Sequence, residues 1–237
     1  MKAMKIALAA ATAAIAAIAS VGVGAGAASA QEVSVSYNVG IFSDYVFRGV
    51  SQTQNDPALQ GGIDVSYGQF YVGTWASNVD FGGTNPDAEI DLYGGFKPTV
   101  GDTSFDFGVL YYGYVKDKNG APGANSYMEL KAAAAHPVGK ATIGAAFYYS
   151  PEYSGNSGYA TYYELNAAIP LADKLTLSGA VGSQKYEKIG TYATWNVGAT
   201  YALTDKLAVD LRYADTDAHS WGKIYDSRVF ASLKATF

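Results

Sequence analysis

Alternation of apolar and polar residues is the feature that most restricts the fold of this chain. At the C-terminus, Phe237, Ala235, Leu233, Ala231 and Val229 are apolar, and the residues between them are mostly polar. A period of two belongs to a β-strand with one face in an apolar medium and the other in water. Eleven further segments repeat this pattern. The sequence therefore predicts an all-β protein.

The connectors between these segments alternate between short and long. The predicted strands span 33–43, 58–67, 70–79, 88–97, 103–115, 126–136, 140–150, 159–169, 175–185, 191–203, 207–215 and 225–237. The short connectors are 68–69, 98–102, 137–139, 170–174 and 204–206. Pro, Gly and Asp enrich them, and these residues favour tight turns. An even strand number with short turns at one end is typical of bacterial outer-membrane barrels. We expect a closed antiparallel transmembrane β-barrel of about 12 strands, with both termini periplasmic.

The first 30 residues have the composition of an export signal. Lys2 and Lys5 precede an uncharged, Ala-rich stretch, and residues 28–30 read Ala-Ser-Ala, the small-x-small pattern that signal peptidase prefers. We expect cleavage after Ala30, so that residues 31–237 form the mature barrel domain in the bacterial outer membrane. A retained membrane anchor is the alternative, but Ala inserts into a bilayer less favourably than Leu or Ile.

Composition argues against several classes of function. The mature chain would carry 14 Lys and Arg against 21 Asp and Glu, a net charge of −7, which disfavours nucleic acid as a partner. The sequence has no Cys, so disulfides and thiolate metal sites are excluded. Its 20 Tyr, 10 Phe and 3 Trp suit the aromatic girdles of a membrane barrel. No phosphate loop or metal-ligand spacing is recognisable, and we expect no cofactor and no metal.

Parity gives each strand a lipid face and a lumen face. Charges within the strands fall almost entirely on one parity, as expected because a Lys or Arg facing lipid at mid-depth costs about 2 to 4 kcal/mol. The residues predicted to line the pore are Asp44, Arg48, Asp64, Glu89, Asp91, Lys97, Asp106, Glu129, Lys131, Glu164, Asp210, Arg212, Arg228 and Lys234. These eight acids and six bases favour cross-strand ion pairs and a slight cation preference. The facing of the strand at 70–79 is left open, because both parities carry apolar side chains.

A soluble, periplasmic or secreted barrel with its apolar face turned inward would show the same period, so alternation alone does not exclude it. Aromatic residues cluster near the predicted strand ends, as in Tyr111-Tyr112, Tyr148-Tyr149 and Tyr162-Tyr163. This clustering favours the membrane barrel, whose two interfaces carry aromatic belts.

The last strand resembles the C-terminal assembly signal of bacterial outer-membrane proteins. That signal is an aromatic terminal residue preceded by alternating apolar residues, and Phe237, Leu233 and Val229 match it. The resemblance implies that the barrel-assembly machinery recognises this strand and inserts the chain into outer-membrane lipid.

The segment after the first strand carries a family resemblance. Residues 43–53 read Ser-Asp-Tyr-Val-Phe-Arg-Gly-Val-Ser-Gln-Thr, and residues 70–79 and 89–95 continue the likeness. These blocks cover roughly the first third of the mature chain and resemble the TorF-type porin family, exported proteins of proteobacteria. The resemblance implies an outer-membrane barrel presumed to be a porin. It supplies neither an established solute nor catalytic residues.

Within this motif, strand parity places Asp44 and Arg48 toward the lumen and Tyr45 and Phe47 toward lipid, in an outer aromatic belt. Asp44 and Arg48 stand four residues apart, about 13 Å along a strand, so they cannot pair with each other. Each is expected to find a partner on a neighbouring strand.

Two interpretations of Arg48 remain open. It is either a constriction residue that contacts passing solute, or a structural residue satisfied by a lumen carboxylate such as Asp64 or Asp226. A barrel of this size lies between the filled interior of eight strands and the open channels of sixteen to eighteen. We therefore expect a pore that is narrow or occluded by a loop.

The sequence predicts a porin-like channel for passive diffusion of small polar solutes or ions. The alternatives are a non-conducting structural or surface-interaction barrel and, from another class, an outer-membrane hydrolase. Of the two histidines, His136 is expected at an interface beside a short turn. His219 stands near Asp215, Asp217 and Ser220, a cluster that could bind a cation, support hydrolysis or form a solvated turn. No His-x-Ser arrangement like that of barrel phospholipases occurs, and we predict no enzyme.

Overall fold

In the computed structural model, which describes residues 32–82, 86–115 and 125–237, the chain forms a closed barrel of twelve antiparallel strands. The strands are β1 (Val33–Phe42), β2 (Ala58–Tyr67), β3 (Phe70–Asn78), β4 (Ala88–Phe96), β5 (Thr103–Val115), β6 (Tyr127–Val138), β7 (Ala141–Ser150), β8 (Ala160–Ala172), β9 (Leu175–Tyr186), β10 (Gly190–Ala202), β11 (Leu207–Thr216) and β12 (Arg228–Thr236). All twelve predicted strands are confirmed, with ends within three residues of the predicted ones. The expected signal segment, 1–30, lies outside the described residues.

Closure of the barrel joins the two ends of the chain. Every strand pairs with its neighbours in sequence, and β1 also pairs with β12 in a register that sets Gly40 opposite Lys234. Past the end of β12, the N–H of Phe237 donates to the carbonyl of Tyr37 (2.9 Å), and the N–H of Tyr37 donates in return (3.0 Å). The described strands therefore leave no long unpaired sheet edge, which is the condition for a sheet to sit in lipid.

The outer surface of the barrel is apolar, as the period of two requires. On β1, Val33 and Ile41 are exposed, in line with the predicted lipid face. On β3, where prediction left the facing open, Phe70 and Val72 are exposed, whereas Tyr71 donates a hydrogen bond to Asp106 inside the barrel. The residues of β3 that share the parity of Phe70 therefore form its outer face.

Two prolines expected in turns lie within strands instead. Pro137 is part of β6, opposite Thr142, and Pro170 is part of β8, where the register with β9 shifts between Pro170 and Ala172. The β5 pairing of β6 reaches only to Ala135, so Pro137 breaks no ladder bond on that side. The shift at Pro170 is a bulge, a second place where a strand tolerates proline.

The helical residues of the described chain lie in long connectors. They form the short 3₁₀ turns Ser154–Asn156, His219–Trp221 and Lys223–Tyr225. No helix in the described ranges has the length and apolar character needed to cross a membrane.

The connector after β1 departs most from prediction. The connector between the first two predicted strands contains a two-stranded hairpin, Val46–Phe47 paired with Val50–Ser51, that packs among buried residues inside the barrel. We call residues 46–51 the inner hairpin. Arg48 and Gly49 form its tip with φ of +49° and +83°, the two positive values of a type I′ turn. A Cβ on Gly49 would collide with the side chains of Thr194 and Thr216, so the tip packs too closely on β10 and β11 for any other residue.

Candidate functional site

The fourteen residues predicted to line the pore are all buried or half-buried. We call the end of the barrel with long connectors the loop end, and the other the turn end. Six lie toward the loop end: Asp44, Arg48, Glu89, Asp91, Glu129 and Arg228. Eight lie at mid-depth or toward the turn end: Asp64, Lys97, Asp106, Lys131, Glu164, Asp210, Arg212 and Lys234. Their placement is observed, and their role in a pore stays a prediction.

Arg48, at the tip of the inner hairpin, crosses the lumen. Its Nη1 and Nη2 donate to Oε1 and Oε2 of Glu129, both at 2.8 Å, and Nη1 also donates to Oε1 of Gln184 (2.9 Å). The side chains of this bidentate pair are each 2% exposed. The expected partners Asp64 and Asp226 are wrong, because the hairpin carries Arg48 away from β1 and its neighbours to β6 and β9 on the opposite wall.

Aromatic rings enclose the guanidinium of Arg48. Its Cζ lies 4.6 Å from the ring centroid of Phe47, 4.8 Å from that of Tyr148 and 4.3 Å from that of Tyr162. These cation–π contacts are strengthened by the exclusion of water. The hydroxyl of Tyr192 donates to the carbonyl oxygen of Arg48 (3.1 Å), so β10 holds the backbone of the tip as well.

The prediction that Tyr45 and Phe47 face lipid is wrong. They are 2% and 9% exposed and belong to a cluster inside the barrel. The hydroxyl of Tyr45 donates to Oε1 of Glu89 (3.2 Å) and its ring meets Trp75 edge-on; the ring of Phe47 meets Tyr112 in the same way. Strand parity fails here because the backbone turns into the lumen after β1.

The base of the inner hairpin is tied to the last strand. Asp44 accepts hydrogen bonds from the hydroxyls of Ser51 (2.6 Å) and Thr53 (3.0 Å). Its other oxygen accepts from Nη1 of Arg228 on β12 (3.1 Å), a partner on the strand next to β1. Arg228 also donates to Oδ1 of Asn55 and to the carbonyl of Ile224. This one guanidinium therefore connects the hairpin base, β12 and the loop before β12.

Toward the turn end, charged and polar side chains of the barrel strands form ion pairs and hydrogen bonds with one another. Lys131 on β6 forms an ion pair with Asp106 on β5 (2.7 Å), and the hydroxyl of Tyr71 donates to the same carboxylate (2.7 Å). The hydroxyl of Tyr93 donates to Asp64 (2.7 Å). Among the ion pairs of the described residues, Lys131–Asp106 alone joins two barrel strands, so the predicted ladder of such pairs is sparse.

Arg212 is fully engaged by its own wall. It pairs with Asp210 on the same strand (3.1 Å) and donates to Asn196 (2.7 Å) and Ser178 (2.9 Å). The hydroxyl of Thr200 donates to the same aspartate (2.7 Å). Three neighbouring side chains thus fix the position of the guanidinium, and Thr200 holds one of the three, without any element entering the lumen.

Three further predicted residues form no ion pair with a described residue. Glu164 accepts hydrogen bonds from Tyr162 (2.9 Å) and Asn166 (3.0 Å). The ammonium of Lys97 lies 4.2 Å from the ring centroid of Tyr71. Lys234 is half-buried on β12.

A small cavity lies beside the inner hairpin. Its volume is about 30 Å³, enough for one or two waters. Its lining includes Arg48, Gly49, Tyr162, Glu164, Asn196 and Arg212. At this level the inner hairpin therefore occupies part of the lumen.

The histidine cluster of the last loop is only partly assembled. Nε2 of His219 lies 2.7 Å from Oδ1 of Asp215, which also accepts from the N–H of Thr216; the hydroxyl of Tyr213 donates to Oδ2. This hydrogen bond to Asp215 raises the pKa of His219 above its ordinary value. Asp217 instead accepts from the N–H of Ala193. Within the described ranges, no group of three or more His, Cys, Asp or Glu could hold a metal ion.

Other residues singled out by the sequence lie on the outer surface. His136 is exposed at the turn end of β6, where Nδ1 lies 3.0 Å from the hydroxyl of Thr103. Phe237, Leu233 and Val229 are exposed on and just beyond β12. The last three are available for recognition, and that recognition stays a prediction.

The inner hairpin is the element that sequence reasoning missed. A usable signal existed, because an X-Gly dipeptide between apolar residues is a hairpin turn signature, and Arg48-Gly49 lies between Val46-Phe47 and Val50. The partner of Arg48 had no such signal, since Glu129 is 81 residues away.

A family model described as "Bacterial protein of unknown function (Gcw_chp)" matches residues 24–237. The chain belongs to this family. Its description names no function, so membership in the Gcw_chp family assigns no activity. No curated protein matches the sequence.

The fold of this Gcw_chp protein is similar to that of known outer-membrane porins and channels. The KdgM porin is 8% identical, with a TM-score of 0.59 and coverage of 86% of this chain and 98% of that chain. The NanC porin is 10% identical, with a TM-score of 0.53 and the same coverage. An outer membrane channel from Pseudomonas putida F1 is 9% identical, with a TM-score of 0.51 and coverage of 90% and 99%. At such identities the likeness shows the fold alone.

Proposed function

We propose that this protein is an outer-membrane channel for the passive diffusion of small polar solutes or ions, with the inner hairpin as its constriction. One observation carries the proposal: the barrel is apolar outside and charged inside. Leu211 and Val229 are exposed, whereas Asp106, Arg212 and Glu129 are buried. This distribution is suited to a barrel that is surrounded by lipid and has an aqueous interior.

The inner hairpin sets the size of what passes. Arg48 and Glu129 meet across the lumen, and a cavity of about 30 Å³ lies beside Arg48. We therefore expect a small conductance at rest and a larger one whenever the hairpin is displaced. The hairpin is joined to the wall by the chain only through its two ends, so it can move without breaking any pairing between barrel strands.

We also propose a mild preference for cations. The predicted pore-lining set has two more acids than bases, and Glu89 and Asp91 form no ion pair with a described Lys, Arg or His. Carboxylates that face a pore without compensation raise the local concentration of cations.

The likeness to the TorF-type porin family supports a route to the membrane. We propose export by a signal peptide cleaved after Ala30 and insertion into outer-membrane lipid with both termini on the periplasmic side. The barrel-assembly machinery would bind the last strand through Val229, Leu233 and Phe237, whose outward exposure supports such recognition. Short periplasmic turns and longer outer loops are the usual arrangement of bacterial barrels.

Single-channel recording tests the channel proposal. The protein is purified from the outer-membrane fraction of cells that express the full chain, and is inserted into a planar bilayer under asymmetric KCl. We expect discrete steps with a reversal potential displaced toward the cation value. A variant in which residues 45–53 are replaced by a short Gly-Ser linker should give steps several-fold larger.

The competing function is a non-conducting structural barrel, and the hairpin inside the lumen is the observation that favours it. The linker variant separates the two functions. If both proteins insert and stay silent at all voltages, the channel proposal is wrong. Conduction by the linker variant alone would support a channel that the hairpin closes at rest.

A further inference from the structure

Two buried carboxylates near the inner hairpin lack a positive partner. Glu89 and Asp91 lie two residues apart on β4, so both side chains point to the same side of the sheet, and they are 1% and 8% exposed. The two guanidiniums of this level are already engaged, Arg48 by Glu129 and Arg228 by Asp44. The hairpin level of the lumen therefore holds two carboxyl groups that pair with no described Lys, Arg or His.

One oxygen of each carboxylate is also without a hydrogen bond. Oε2 of Glu89 and Oδ1 of Asp91 are buried and have no partner among the described residues. An ionised carboxylate that is removed from water and left uncompensated is strongly unfavourable. Two carboxylates side by side repel each other, so the pair is held either by a shared proton or by a cation between the two groups.

Hydroxyl groups lie around Glu89, whereas Asp91 stands opposite the aromatic residues Trp75 on β3 and Tyr112 on β5. Glu89 stands opposite Ser77 on β3 and opposite Tyr114 on β5, and its Oε1 accepts from the hydroxyl of Tyr45. Carboxylate and hydroxyl oxygens are the ligands preferred by hard divalent cations, whereas the soft metals require sulfur or imidazole.

We propose that Glu89 and Asp91 form a binding site for a divalent cation of the calcium and magnesium class. The two free oxygens would be its protein ligands, and the charge of the pair matches that of the ion. Because the described residues hold no group of three such side chains, water completes the coordination, as is usual for Mg²⁺ bound by one or two carboxylates.

The ion would also stabilise the inner hairpin. Tyr45, the residue just before the hairpin, donates to Oε1 of Glu89, so fixing this carboxylate fixes the entry of the hairpin. The site does not rest on conduction, and its binding can be measured on a barrel that never opens. Absence of cation binding and absence of conductance are therefore separate results, and either can occur without the other.

Titration calorimetry with MgCl₂ and with CaCl₂ tests the site, on protein stripped with EDTA in detergent and held at constant ionic strength with KCl. We expect one saturable site with a dissociation constant on the order of 0.1 to 1 mM, the range of extracellular calcium modules. The melting temperature should rise with the logarithm of the cation concentration. The double variant Glu89→Gln/Asp91→Asn should bind at least tenfold more weakly.

Glu164→Gln is the matched control, since Glu164 is a buried lumen carboxylate whose two oxygens both accept hydrogen bonds. It should bind as the parent does. The double variant has lost the repulsion between the two carboxylates. Without cation, its melting temperature should therefore equal that of the cation-loaded parent, and this result would also show that the double variant folds. Absence of saturable binding in the parent, or equal binding by the double variant, would overturn the proposal. A shared proton would then hold the pair.

Discussion

The two ends of the barrel interior bury charge in different ways. Toward the turn end, the ion pairs lie within the wall: Lys131 pairs with Asp106 from the adjacent strand, and Arg212 is held by Asp210 on its own strand and by two neighbouring strands. At the loop end, a piece of backbone enters the lumen and carries Arg48 across to Glu129 on the far side.

The difference separates what is fixed from what can move. A wall pair between adjacent strands cannot part unless the strands part, and the closed ladder of backbone hydrogen bonds prevents this. The inner hairpin makes its backbone ladder only with itself, and side chains hold it to the wall. Loss of one side chain should therefore loosen the hairpin while the barrel stays closed.

The strongest test of this comparison removes one carboxylate at each end. Glu129→Ala leaves the Arg48 guanidinium buried without its partner and should lower the free energy of unfolding by about 3 to 5 kcal/mol. Asp106→Ala should cost less, about 1 to 3 kcal/mol, because the flexible stem of Lys131 lets its ammonium reach water. Urea unfolding followed by tryptophan fluorescence measures both. Equal losses would break the distinction between the two ends.

The double variant Arg48→Ala/Glu129→Ala provides the control for this test. It removes both charges, so it should be more stable than Glu129→Ala although it lacks more contacts. A double variant that is less stable than the single one would show that the aromatic enclosure of Arg48, rather than its charge, dominates.

A second test compares two glycines with positive φ. Gly49→Ala should cost about 2 to 3 kcal/mol, because the new Cβ meets Thr194 and Thr216 in addition to the strain of the turn. Gly139 in the turn between β6 and β7 has φ of +60° and open space around its Cα, so Gly139→Ala should cost only about 1 to 2 kcal/mol. The same urea titration measures both, and a reversed order would contradict close packing of the hairpin tip.

A third test separates stability from motion with two tyrosine hydroxyls. Tyr192→Phe removes the hydrogen bond to the carbonyl of Arg48, and Tyr93→Phe removes the one to Asp64. Each should cost about 1 to 2 kcal/mol. Only Tyr192→Phe should lengthen the open periods in single-channel records, because only it loosens the hairpin. If the open periods are equally long in the two variants, motion of the inner hairpin does not gate the channel.

The smallest effect concerns His219 in the loop before β12. Its hydrogen bond with Asp215 raises the pKa in the folded state, so its contribution to stability is present below the ordinary histidine pKa and is lost as the pH rises through the folded value. Relative to His219→Gln, the parent should melt higher at pH 5.5 and equally at pH 9. His136→Gln serves as the control, and a pH-dependent difference in that variant would show that the effect is not specific to His219.

The strands and their faces could be predicted from the sequence because each strand of a membrane barrel must have apolar side chains on its outer face and polar side chains on its inner face. The alternation from Val33 to Ile41 predicts both the extent and the outward face of β1. On β3, Phe70 and Tyr71 are both aromatic, and the facing depended on whether Asp106 was within reach of one of them. That contact is tertiary, so local pattern could not decide it.

The same rule failed at the candidate site. After Phe42 the backbone leaves the wall, and from there parity says nothing about Tyr45 or Phe47. The pairing of Arg48 with Glu129 depends on how wide the closed barrel is. The width follows from twelve strands together and is absent from any single segment.

The contact between Asp44 and Arg228 has a consequence for the order of assembly. Asp44 follows the first strand to leave the ribosome, and Arg228 begins the last one. The base of the hairpin can therefore be fastened only after β12 has joined β1. The segment that follows the first strand is therefore fixed only when the last strand is in place. The inner hairpin takes its final position in the lumen as the barrel closes.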